Sequence, residues 1–289
     1  MKGGALVSRV TAMRGWRIVA LPAAFAVVSA AVLLCPASLA QPAGRPCGGA
    51  EIARGTVEHV IDGRTVMLAD GREVRLAGVE VPPQDAAGMP GAAAAKSALQ
   101  ALAGGDEVAL RGAEIATDRY GRIVAYAYTL RDGDELFVQG ELVAAGSAWV
   151  GNRVGSRACA IALLNREAEA RKAKYGLWAD PAYQVLDTAA PAALLARRGR
   201  FVLAEGLVFS VRTSGATVYV NFARRWSEGF AVTVEKRRER IFAAAGVELS
   251  SLAGRRVRVR GFVETRDRAE SRPSIDLERP EQIEIAGGD

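Results

Sequence analysis

Residues able to do chemistry are few in this 289-residue chain, and their scarcity narrows the options. His59 is the one histidine, so chemistry that leans on imidazole is nearly excluded. Set on a strand pattern, it reads as an ordinary surface or core residue. Cys35, Cys47 and Cys159 are too few for a cysteine-rich zinc or iron–sulfur site. Any metal here must be a hard ion on oxygen ligands. Two basic stretches suggest binding instead. Arg224-Arg225-Trp226, flanked by Phe222 and Phe230, has the composition of a surface that stacks bases. Arg255, Arg256, Arg258 and Arg260 fall largely on one face of a strand. The competing reading of both is structural: a solvated strand face with Val257 and Val259 turned to the core, and Trp226 packed as a lid.

Those residues need elements to hold them, and the composition allows a full core: half the residues are apolar and 24% are charged. The formal charge of +6 sits at the two ends. Residues 1–40 hold Lys2, Arg9, Arg14 and Arg17 with no acid, whereas 41–191 are slightly acidic and 192–289 basic. The first 40 residues read as an export signal. A cationic start leads into an apolar run from Ile18 to Cys35, then Pro36 and a Ser38-Leu39-Ala40 cleavage step. An uncleaved membrane anchor is the alternative; a lipoprotein reading is weaker because bulky Leu34 precedes Cys35. Cleavage leaves Cys47 and Cys159, an even pair in an oxidising periplasmic or secreted setting, which predicts a Cys47–Cys159 disulfide.

From Glu51 the pattern is β. Thr56 to Ile61, Thr65 to Leu68 and Glu73 to Leu76 alternate as strands around Asp62-Gly63 and Asp70-Gly71 turns. A helix is expected from about Gly91 to Ala103, then strands over Glu107 to Ala113 and Ile123 to Leu130, then helices over Val138 to Ala145 and Ile161 to Ala173. Five strands with helices at one end make a small OB-type barrel, an α+β fold dominated by β. Residues 181–198, rich in alanine and broken by Pro181 and Pro191, read as a linker. A second OB-like β-barrel is expected over 199–289, with strands at Phe201 to Val211, Thr217 to Phe222, Phe230 to Val234, Arg256 to Val263 and Ser274 to Leu277, and a helix over Arg237 to Ala245.

Within a domain read as 41–180, the stretch from about Gly55 to Trp178 resembles the thermonuclease, or staphylococcal nuclease-like, family. The resemblance is carried by Asp62-Gly63-Arg64-Thr65, by Val74-Arg75-Leu76-Ala77-Gly78-Val79-Glu80-Val81-Pro82, by Thr117-Asp118-Arg119-Tyr120-Gly121-Arg122, and by Glu167 to Lys174 followed by Tyr175-Gly176-Leu177-Trp178. It implies calcium-dependent phosphodiester cleavage, and Arg75 and Arg122 then match the arginines that grip the scissile phosphate. The remaining positions depart from the family. Arg64 stands where family enzymes have a calcium-binding aspartate, Glu80 where they have a second aspartate, and Pro83 where they have the glutamate base. Arginine ligates no cation and proline accepts no proton. Arg64 instead supplies permanent positive charge opposite Glu80. The structural alternatives are an Arg75 salt bridge to Glu80 or Glu73 and an Arg122 pairing with Asp118. Asp62 reads as a turn residue rather than a replacement ligand, and Asp85 as too loosely tethered for a displaced base.

The expectation is an exported thermonuclease homologue without calcium-dependent nuclease activity, binding nucleic acid, another phosphate-bearing ligand or an envelope partner. No cofactor is expected. One alternative is a phosphodiesterase whose rearranged Ca²⁺ site uses Glu80 with Asp62; another is a structural envelope protein. A membrane partner follows only from an uncleaved signal segment.

Overall fold

The structure, a computed structural model, describes residues 45–84, 90–131, 133–225, 228–265 and 272–286. Residues 1–40, read above as an export signal, lie outside the described residues, as do Asp85 and Trp226. The first half is built on tight turns whose aspartates cap their own loops. Asp62 accepts from the Arg64 N–H at 2.8 Å, and Asp70 from the Arg72 N–H at 3.1 Å. These turns join β1 (Glu51–Asp62), β2 (Thr65–Leu68) and β3 (Glu73–Leu76); β4 (Val79–Glu80) follows after one more reversal. Then come α1 (Gly91–Ala103), β5 (Glu107–Thr117), β6 (Ile123–Arg131), β7 (Asp134–Phe137), α2 (Val138–Ala144), β8 (Trp149–Val150) and α3 (Arg157–Lys172). The sheet order is β3-β2-β1-β5-β6-β7, and β3 also pairs in parallel with β6. That pairing closes five strands into a barrel, with β7 added outside β6.

The barrel interior takes alternate residues of each strand, including Val66 and Leu68, Val74 and Leu76, and Leu110, all buried. Helix α1 covers it through Ala95 and Leu99. Helix α3 begins four residues before its expected start, because Ser156 caps it by accepting from the Cys159 N–H at 3.2 Å. Cys159 bonds to Cys47 in a disulfide spanning 112 residues, pinning α3 to the segment before β1. A closure of that length constrains the unfolded chain strongly. Replacing both cysteines by serine is expected to cost about 2–4 kcal/mol. At roughly 2–4 °C per kcal/mol, Tm should fall by about 4–16 °C. Thermal unfolding of the double variant measures this, and an unchanged Tm would refute it.

The segment read as a linker carries structure. β9 (Leu186–Asp187) pairs in parallel with β10 (Phe201–Leu207), and α4 (Pro191–Leu195) begins on Pro191, a favoured first helical residue. The run expected as one strand from Phe201 to Val211 is two, β10 and β11 (Ser210–Ser214). It breaks where Val208 and Phe209 donate their N–H groups sideways, to Arg255 O and Asn221 O. After β12 (Thr217–Asn221) and β13 (Ala231–Glu235) come the short α5 (Glu239–Ala244), β14 (Arg256–Phe262), β15 (Glu264–Thr265), β16 (Pro273–Leu277) and β17 (Ile283–Ile285). These form two sheets, β17-β14-β10-β9 and β11-β12-β13-β16-β15, over a shared core that includes Val218, Val232, Val257 and Ile275.

The two halves pack as one unit. At their junction Arg260 of β14, 1% exposed, faces Glu167 of α3, 0% exposed. Its guanidinium donates to Glu167 Oε1 at 3.0 Å and to the Val150 carbonyl at 3.2 Å, and it pairs with Glu284. Burial works against the charged guanidinium, but Glu167 and Glu284 outweigh it and push the Arg260 pKa up. Trp149 and Phe201 meet nearby at 6.0 Å, and Phe201 meets Phe262 edge-on at 5.4 Å. Among the described residues no helix is long and apolar enough to cross a membrane.

Candidate phosphate-binding site

Three reversals bring the charged side chains of the first half together. The β2–β3 hairpin aligns Thr65 with Arg75 and carries Arg64 opposite Leu76, whose N–H donates to the Arg64 carbonyl at 2.8 Å; both arginines line one cavity. At Gly78 φ is +74°, and a Cβ there would come within 3.2 Å of the Tyr126 ring. Glycine permits this tight turn, which returns the chain through β4 and sets Glu80 beside both arginines. The third reversal precedes β6. The Asp118 carboxylate accepts from the N–H groups of Tyr120 at 2.9 Å and Arg122 at 3.1 Å, and from Arg122 Nε at 2.8 Å. Burial alone would raise the Asp118 pKa, yet these hydrogen bonds, the Arg122 side chain first, hold it below the usual carboxylate value. Parallel pairing of Arg75 with Val124 then draws Arg122 alongside.

The result is a cavity of about 660 Å³ lined by Arg64, Arg75, Glu80, Asp118 and Arg122, with Tyr120 and Arg119 at its wall. Each of its three carboxylates is engaged by an arginine. Glu80 pairs with Arg64, Asp118 with Arg122, and Glu114 with Arg279 of the C-terminal half. Arg64 also donates to the Val79 carbonyl at 3.4 Å. Arg75 differs: among the described residues its one ion contact is the 3.9 Å approach to Glu80. Burial, followed by repulsion from Arg64, pulls the Arg75 pKa below its ordinary value. A partly desolvated guanidinium with so loose a counter-charge is chemically able to take an added anion.

Calcium, which the resemblance implies, does not fit this donor set. Arg64 pairs with Glu80, the Arg75 guanidinium approaches the same carboxylate at 3.9 Å, and no group of three or more His, Cys, Asp or Glu side chains converges as a metal site among the described residues. Asp62 lies outside this cavity. With Pro83 it lines a second chamber on the other side of Arg64 and Glu80, and its carboxylate holds the Arg64 N–H.

Of the base-stacking surface expected on the C-terminal half, the flanking phenylalanines belong to the core, and Trp226 lies outside the described residues. Phe222 and Phe230 are buried against each other, with ring centroids 5.2 Å apart, because their alternation turns them to the core. Arg224 and Arg225 are exposed, and Arg225 reaches Glu228 at 3.3 Å. Arg256, Arg258 and Arg260 do share a face, but acids cover it: Glu205 takes Arg256 and Arg258, while Glu167 and Glu284 take Arg260. His59 is exposed on β1.

One contributor escaped the sequence reading. Tyr120 is 67% exposed at the cavity wall, with the Arg119 and Arg122 guanidiniums 4.7 and 5.2 Å from its ring centroid. The available signal was an aromatic in a turn between Asp118 and Gly121, where a large ring has no core to fill. No curated protein matches the chain. Residues 73–180 match the family model described as Staphylococcal nuclease homologue, and this part of the chain, from β3 with Arg75 to the turn beyond Trp178, is a staphylococcal nuclease-like domain.

Proposed function

We propose that this chain is an exported phosphate-binding protein, its ligand nucleic acid, in which an internal arginine has replaced the calcium of the nuclease reaction. The observation that carries the reading is Arg75: half-buried, lowered in pKa by burial and by Arg64, and held among the described residues by one ion contact, at 3.9 Å. A phosphate entering the cavity meets Arg75 and Arg122 as charge-assisted donors, with Arg64 neutralising Glu80 behind them. Arg64 precedes the matched span, but its carbonyl accepts from the Leu76 N–H of β3, which ties it to the strand that carries Arg75. A nuclease-like fold is consistent with nucleic-acid binding, and the Cys47–Cys159 disulfide supports an oxidising compartment. Hydrolysis is not part of the proposal, since Pro83 offers no proton acceptor and the cavity carboxylates are already paired with arginines.

The test is binding and cleavage of short single-stranded DNA, with and without millimolar calcium. Expected are binding that weakens with salt, no calcium-dependent rise in Tm and no cleavage. Arg75→Ala and Arg122→Ala should each weaken binding by about tenfold, the loss of roughly one charge-assisted hydrogen bond. Calcium-dependent cleavage by the wild type would overturn the reading, as would binding indifferent to both variants.

A further inference from the structure

A second chamber adjoins the cavity at the Arg64–Glu80 pair. Both residues also line this chamber, of about 490 Å³, whose opposite wall comes from the C-terminal half: Phe201 and Phe262, with Gly199 and Arg200. The chambers differ in charge. The first is lined by five arginines against three carboxylates, the second by Arg64 and Arg200 against Asp62 and Glu80. One side therefore suits an anion, the other something neutral.

The second chamber is also aromatic and firmly mounted. Phe262 remains 38% exposed while touching Phe201 edge-on, Phe201 lies against Trp149, and Trp149 is the register partner of Glu80 in the β4–β8 pair. The buried Arg260–Glu167 contact holds β14, which ends at Phe262, against the first half. An electroneutral chamber with an exposed, rigidly backed ring, adjoining a positive one, matches the two parts of a nucleotide. We infer that the second chamber is a nucleobase subsite: the ligand is a single nucleic-acid strand with a phosphate on Arg75 and Arg122 and a neighbouring base on Phe262. This rests on the phosphate-binding reading and adds a contact that only the C-terminal half provides. A duplex is excluded from the subsite, because its bases are paired and stacked away from a concave wall.

Calorimetric titration with two tetramers separates the chambers: a thymidine tetranucleotide, and an abasic strand with the same phosphates but no bases. The wild type should prefer the first by about tenfold, the order expected for one base stacked on an aromatic ring. Phe262→Ala should erase that preference while binding the abasic strand as the wild type does. Phe262→Leu, which keeps apolar bulk and so guards against misfolding, should erase it too. Phe209→Ala, at an exposed phenylalanine outside both chambers, should leave it intact. Equal binding of both strands by the wild type would overturn the base subsite and leave the phosphate reading standing. A preference that survives both Phe262 variants, or is lost only in Tyr120→Ala, would place the base in the first chamber and overturn the inference. Binding of neither strand would overturn the phosphate reading and the inference with it.

Discussion

Arg260→Ala is expected to destabilise the protein by about 3–5 kcal/mol, because it leaves a buried carboxylate without its principal counter-charge. Glu167 is fully buried, and it would retain only the Val150 N–H at 2.7 Å and the more distant Arg171 guanidinium at 3.6 Å. At 2–4 °C per kcal/mol, Tm should drop by roughly 6–20 °C. Removing the charge on both sides tells a different story. Arg260→Met combined with Glu167→Gln keeps an acceptor for the Val150 N–H and fills the space with apolar volume, so the double variant should recover much of the loss. The coupling between the two sites is expected at about 0.5–3 kcal/mol in a double-mutant cycle. Denaturant unfolding of the wild type, Arg260→Met, Glu167→Gln and the double variant measures it, with Arg260→Ala unfolded alongside. A cost below about 1 kcal/mol for Arg260→Ala would mean that water solvates Glu167, and that the junction is not sealed.

Arg260 also marks where the sequence stops being informative. Alternation along Arg256 to Phe262 correctly separates the arginines from Val257 and Val259, which are fully buried. Which face meets solvent is another matter, and period-two patterning is silent on it. The arginine face is covered by Glu205, Glu284 and Glu167, and Glu167 lies 93 residues away on another element. The barrel of the first half was legible because its strands are bounded by Asp-Gly turns with a local mechanism. β4, β8 and β9, two residues each, are too short to show any period, yet β4 and β8 position Glu80 against Trp149.

At the site itself, charge was more legible than shape. An arginine in place of an acid, two positions beyond β1, is enough to argue that a cation would be repelled. That Arg64 lies directly on Glu80 follows from the hairpin register and the Gly78 turn. The second chamber was beyond sequence reasoning altogether. Its walls come from residues 62–84 on one side and Phe201 and Phe262 on the other, joined only by the packing of the two halves.

The largest change in activity is expected from restoring what the family resemblance marks as replaced. Arg64→Asp, Glu80→Asp and Pro83→Glu together should give calcium-dependent hydrolysis of single-stranded DNA, where none is expected of the wild type. Each change removes one obstacle. Without Arg64 the carboxylate at position 80 loses its internal counter-ion, and two adjacent carboxylates then repel each other until a hard cation joins them. Calcium should therefore raise the Tm of the Arg64→Asp, Glu80→Asp variant, by the equivalent of about 2.7 kcal/mol at a hundredfold excess over Kd. Hydrolysis should require Pro83→Glu as well, since metal and base act as a unit and their effects are strongly non-additive. Arg75 and Arg122 already stand at the cavity and need no change. The demanding position is Pro83, which borders the second chamber rather than the first. A glutamate there must reach past residue 80 to serve an attacking water. Turnover by the triple variant that Arg75→Ala then abolishes would establish that the phosphate grip survived intact. Calcium binding without turnover would locate the remaining defect in the path of the chain after β4.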